Sequence, residues 1–142
     1  MAEDVNRIRG IGGSEIAAIV GLHPYMSAMQ LYMEKTGMGG PPQTNPAMEW
    51  GTRLEPLVAK AYADHTGRTL NRPSEGIISS EESWRRGTPD YLVPDEELGV
   101  EIKTAGLRQA WRWGEESEAV PDEYRIQCAW YMGVLDWSQW DL

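Results

Sequence analysis

The sequence predicts an α/β protein, a mixed β-sheet flanked by helices with a helical segment ahead of it. Three observations lead there. Capped helical runs fill the chain up to Gly67. Stretches of β-type residues separated by turn residues follow between 68 and 105. One amphipathic helix and a strand-like end then close the chain. At 142 residues the expectation is a single domain, 1–142, long enough to bury a core.

Each element has a local reason. Ser14 can cap a short helix, Glu15 to Val20, stopped by Gly21. Ser27 and Gln30 have capping-box spacing and open a helix to Thr36, ended by Gly37. Asn45-Pro46 reads as an N-cap followed by the first helical residue. The helix after it carries Leu54, Leu57, Val58, Ala61 and Tyr62 at the spacing of one apolar face, with Glu55 beside that stripe. Pro56 inside it predicts a kink or a restart. Strands are expected at 68–72, 76–80, 85–93 and 99–105. Pro121 opens a last helix with Tyr124, Gln127, Cys128, Tyr131 and Leu135 on one face. Trp137–Leu142 reads as the start of a strand.

Composition narrows the function classes. Hydrophobic content of 41% and charged content of 25% are those of an ordinary globular chain. No apolar run approaches the length of a membrane span. The single cysteine, Cys128, cannot form an internal disulfide, which suits a reducing cytosol. His23 and His65 lack zinc-ligand spacing. The net charge of −9 runs against the basic footprint of a nucleic-acid binder.

The strongest chemical signal is Pro89-Asp90 followed, across a turn-rich stretch, by Glu101-Ile102-Lys103. In a strand, Glu101 and Lys103 share one face while Val100 and Ile102 take the other. Charges on one face of an apolar strand are costly without a partner or a task. Asp90 and Glu101 can offer carboxylates from neighbouring strands, and Glu55 a third from the long helix. The Ile102 carbonyl can complete the shell of a hard cation such as Mg²⁺. Lys103 can orient a water or balance the charge of a phosphate. The plainer alternative is a turn aspartate and a surface ion pair. Gln127, four residues before Tyr131 on an apolar helix face, either holds a water or metal ligand or is a satisfied core amide. Arg7, with Ser14 after Gly12-Gly13, can cradle a phosphate or can be a surface arginine beside a helix cap. Trp111 and Trp113 flank Arg112 and either stack on bases or pack internally. Trp50 is expected to pack.

Together these residues resemble the YqaJ-like viral recombinase family, relatives of lambda exonuclease among the PD-(D/E)xK nucleases. The matching pieces are Ile11-Gly12-Gly13-Ser14-Glu15-Ile16, Glu49-Trp50-Gly51-Thr52-Arg53-Leu54-Glu55-Pro56, Gly87-Thr88-Pro89-Asp90, Glu101-Ile102-Lys103-Thr104, and Pro121, Tyr124, Gln127, Tyr131 and Met132. They occur in family order along nearly the whole chain. The resemblance implies a restriction-endonuclease-like core and a 5′→3′ exonuclease on double-stranded DNA ends, dependent on Mg²⁺ or Mn²⁺. It implies that Glu55, Asp90, Glu101 and the Ile102 carbonyl hold metal, with Lys103 as catalytic lysine and Gln127 beside it. It places Arg7 and Ser14 at the terminal 5′-phosphate, and Arg53 and Tyr131 as further DNA contacts. A ring-shaped trimer, a single-strand annealing protein as partner, and a phage or prophage origin in the bacterial cytoplasm are also implied. Relatives continue past the point matching Leu142, so a short edge strand is expected here. Glu15 stands where many relatives have Asp. Two rival readings remain on the same scaffold: a structure-specific or restriction-like endonuclease, and a non-catalytic acidic binding protein.

Overall fold

The computed structural model describes residues 10–40, 44–114 and 119–142. Helix α1, Gly13–Ile19, is capped two residues earlier than expected. Extended Gly12 is its N-cap, and the Glu15 carboxylate accepts the Gly12 N–H at 2.8 Å. Glu15 therefore does the work expected of Ser14, whose side chain is left exposed. Helix α2, Ala28–Lys35, opens with the reciprocal Ser27–Gln30 box. Helix α3, Pro46–Thr66, starts at Asn45, which accepts from the Met48 N–H, and stops at left-handed Gly67.

Pro56 neither ends nor restarts α3, which runs unbroken through it. The inward face also differs from the expected stripe. Ala59 is the buried residue, and Gly51, Glu55 and Tyr62 lie partly buried along the same side. Leu57 is 65% exposed, with Leu54 and Val58 also outside. The inward line thus carries a carboxylate, and much of the apolar stripe faces solvent.

The strands are shorter than the sequence suggested. Strands β1, Ile77–Ile78, and β2, Arg86–Gly87, form an antiparallel pair. Strands β3, Tyr91–Val93, β4, Leu98–Val100, and β5, Gln139–Asp141, form the central sheet in that order. Pairing of β3 with β4 is antiparallel and of β4 with β5 parallel, so the sheet is mixed. The expected strand at 68–72 contributes one bridge, Asn71 to Leu92. The expected run 85–93 is interrupted between β2 and β3, and 99–105 leaves the ladder after Val100. Helix α4, Asp122–Leu135, is the crossover between β4 and β5. No helix among the described residues is long and apolar enough to cross a membrane.

The faces of β4 sort the layers. Leu98 and Val100 form a buried cluster with Val93, against which Tyr62 of α3, Leu70 and Ile102 pack. The alternate residue Glu101 meets α4 through Gln127. On the α4 side, the Tyr131 ring fills the space between two glycines. A Cβ added at Gly13 would lie 2.4 Å from that ring, and one at Gly87 2.5 Å. Gly87→Ala should therefore destabilise the chain by about 1–3 kcal/mol through overpacking. Gly106→Ala, where an added Cβ meets nothing within 4 Å, should stay within about 0.5 kcal/mol of the parent. Urea titrations of the two variants check this.

Candidate active site

Glu101 is the centre of the site. It follows the last ladder residue of β4, and its N–H donates to the Asp141 carbonyl of β5 at 2.9 Å. Its side chain is 3% exposed, and Oε1 accepts from Lys103 Nζ and from Gln127 Nε2, both at 2.7 Å. The other oxygen, Oε2, is buried with no protein partner. Gln127 Nε2 also lies 3.1 Å from the Tyr131 hydroxyl, which in turn donates to the Thr88 carbonyl. A chain of polar contacts thus runs from the loop before Asp90, through α4, to Glu101. The glutamine on the apolar helix face is a satisfied amide whose partner is the buried carboxylate.

Asp90 and Glu55 approach from the neighbouring elements. Asp90 is held by the Ile102 N–H, which donates to Oδ2 at 2.8 Å. Glu55 projects from the inward side of α3, and its Oε1 lies 2.8 Å from Arg72 Nη2. Glu55, Asp90, Ile102 and Lys103 line one groove of about 1150 Å³, together with Ser14. Ile102 and Lys103 also line a smaller cavity of about 230 Å³, where Glu101 lies. As the side chains stand, no three His, Cys, Asp or Glu side chains among the described residues are grouped to share one ion.

The electrostatics follow from burial. Burial pushes Glu101 up from its ordinary 4.5 to about 7, aided by the charge of Asp90 and opposed by Lys103. Asp90 is raised by burial, against the Ile102 N–H, Lys103 and Arg72. Glu55 is raised by burial and then by Asp90, with Arg72 and Lys103 opposing. Burial thus outweighs the nearby positive charge at all three carboxylates. The chemistry of the set fits a hard divalent cation: carboxylate oxygens, one of them buried and unpartnered, at the edge of a groove.

The other expected site residues are placed differently. Arg7 lies outside the described residues. Arg53 is on the outer side of α3, over the ring of 59%-exposed Trp50 at 5.6 Å, and does not line the groove. Trp50 therefore does not pack inside. Tyr131 is 2% exposed and sits behind the site rather than at its surface. Trp111 is 80% exposed, so it is no core residue, while Trp113 stacks on Tyr124 at 5.5 Å.

Two features went unread in the sequence. Lys103 Nζ lies 5.2 Å over the Tyr124 ring, and Arg112 pairs with buried Glu123 at 2.6 Å. Residues 112 and 113 thereby fasten the segment after Lys103 onto the first turn of α4. The adjacent pairs Arg112-Trp113 and Glu123-Tyr124 were the available signal, but only the fold pairs them.

The raised Glu101 has a measurable consequence for stability. The folded chain keeps a proton that the unfolded chain releases near pH 4.5. The associated stability is full below that pH and is lost as pH rises through about 7. Without divalent cations, Glu101→Gln should remove a loss of at most about 3 kcal/mol across that window. Chemical denaturation at pH 4.5 and pH 7.5 in EDTA, parent against variant, measures it.

Comparison with known proteins fits this geometry. The YqaJ-like viral recombinase domain model matches residues 5–138. The protein YqaJ of Bacillus subtilis strain 168 is 29% identical over 132 residues, covering 92% of this chain and 41% of that protein. The chain thus spans less than half the length of that relative. Among solved structures, the alkaline exonuclease LHK-Exo of Laribacter hongkongensis superposes with a TM-score of 0.69 at 22% identity, over 99% of this chain and 74% of that one. A phage-related exonuclease of Haemophilus somnus 129PT gives 0.67 at 18% identity, over 96% and 68%. The fold is that of these exonucleases, a restriction-endonuclease-like α/β core, as the sequence led us to expect. The family match spans the groove, from Ser14 on α1 to Tyr124 on α4, and the chain belongs to the YqaJ-like viral recombinase domain family.

Proposed function

We propose that this chain is a divalent-metal-dependent DNA exonuclease that works from the 5′ end of duplex DNA. One observation carries the reading: a buried carboxylate, Glu101, bonded to Lys103 and Gln127 on one oxygen and unpartnered on the other. Membership of a recombinase-domain family and the fold shared with exonucleases support the same reaction class.

Glu55, Asp90, Glu101 and the Ile102 carbonyl would hold the ion, Mg²⁺ or Mn²⁺. Such an ion, once bound, supplies Lewis acidity at the phosphate and a more acidic water. The protein's own part is positional. Gln127 and Lys103 fix Glu101 Oε1, so the carboxylate has one orientation. The Ile102 N–H fixes Asp90. Lys103, anchored by Glu101 and the Tyr124 ring, brings a cation to the groove where a scissile phosphate would lie. Ser14 stands in the same groove, suited to a terminal 5′-phosphate together with Arg7.

The acidity of the chain becomes intelligible in this reading. Glu15, Glu34, Glu55, Asp90 and Glu123 line the groove against Lys103 and Arg112, and the whole chain carries −9. A polyanion enters such a groove readily only with added cations. By the same reading, a ring of three subunits, an annealing-protein partner and action in the bacterial cytoplasm during phage recombination are the setting.

The test uses 5′-phosphorylated linear duplex, 5′-hydroxyl duplex and closed circular DNA, each with Mg²⁺ and with EDTA. The phosphorylated duplex should be degraded fastest, only with Mg²⁺, and the circle should survive. Lys103→Ala should slow degradation by about 10²-fold or more while leaving the circular-dichroism spectrum unchanged. Cutting of the circle would establish the endonuclease reading instead. Undiminished cleavage by Lys103→Ala would remove that residue from the mechanism.

A further inference from the structure

Arg72 has no place in the reading so far, yet it occupies one of the residues that reading depends on. Asn71 is bridged to Leu92 of β3, so the residue after it is fixed beside the sheet. The Arg72 guanidinium lies 5.6 Å over the ring of Tyr91, the neighbour of Asp90. Its Nη2 is 2.8 Å from Glu55 Oε1. One positive charge therefore sits on Glu55 and next to the residue following Asp90. Those are two of the three carboxylates assigned to the ion.

We infer that Arg72 competes with the divalent cation for Glu55 and so sets the affinity of the ion site. The inference rests on the metal reading given above. Three features support competition rather than a fixed structural pair. The Arg72 side chain is 58% exposed, so it can swing into solvent, whereas that of Glu55 is 16% exposed and stays. The guanidinium also lies over the Tyr91 ring, a contact that does not involve Glu55 and that it can keep when it leaves the carboxylate. The oxygen it covers is the kind a hard cation requires, and a guanidinium and a divalent cation on one carboxylate repel each other. In the absence of the ion, Arg72 offsets repulsion between Glu55 and Asp90.

The test is Mn²⁺ titration by calorimetry, with thermal unfolding in EDTA and in Mn²⁺, on the parent, Arg72→Gln and Arg72→Lys. Two cations that repel each other on one carboxylate are coupled by typically about five-fold or more in affinity. Arg72→Gln should thus bind Mn²⁺ at least about five-fold tighter, melt lower in EDTA, and gain more on adding Mn²⁺. Arg72→Lys, which keeps the charge, should stay near the parent. Equal or weaker Mn²⁺ binding by Arg72→Gln would overturn the inference while leaving the metal site standing. Equal tightening in Arg72→Lys would also overturn it, because charge would not be the cause. Absence of Mn²⁺ binding in the parent and both variants would overturn the metal reading, and this inference with it.

Discussion

Burying Glu101 is the constraint around which the rest is arranged. An ionised carboxylate withdrawn from water is tolerated only when other groups replace the lost hydration. Here those groups come from two directions. Lys103 answers its charge from two residues further along the segment after β4, and Gln127 donates from α4, while the Asp141 carbonyl of β5 holds the Glu101 backbone N–H in place. The elements that cover Glu101 are thus the ones that define the sheet and its crossover helix. Removing one partner leaves the charge buried with less compensation, which costs more than the lost bond alone.

The same logic explains why α4 and the β2 region meet so closely. Gln127 can donate to Glu101 only if α4 comes near the sheet, and the Tyr131 ring one turn on must then fit against α1 and β2. Glycines at 13 and 87 leave room for that ring. The hydroxyl of Tyr131 spans from Gln127 to the Thr88 carbonyl, two residues before Asp90. The placement of one carboxylate is therefore linked to the loop that carries another.

How much of this was legible depended on the range of the interaction. Caps are local, so Ser27 with Gln30, Asn45 with Pro46, and Gly67 all read correctly from neighbouring residues. The first cap misled because a serine stood where a capping residue is expected, while Glu15 three residues after Gly12 did the capping. The strands were overextended because β-type residues persist past the points where pairing ends. Residues 88–90 and 101–105 look like strand but leave the ladders to line or support the groove. The inward side of α3 was misjudged for another reason. Periodicity finds the more apolar stripe, but the sheet receives the side bearing Gly51, Glu55 and Ala59. The motif residues Asp90, Glu101, Lys103 and Gln127 were visible because their types and spacing are unusual together. Arg72 and the Arg112–Glu123 pair were invisible, since an arginine next to a short strand, or near an aromatic, carries no distinctive pattern until the fold supplies its partner.

The parallel pairing of β4 with β5 bears on how the molecule is made. Val100 lies opposite Asp141, with all of α4 between them in sequence. Closing so large a loop is entropically slow compared with winding a capped helix. During refolding, helical ellipticity should therefore be regained before Glu101 is sealed from water. Until β5 docks, that carboxylate is an ordinary hydrated acid, so the chain acquires its unusual proton affinity only as the last long-range closure is made.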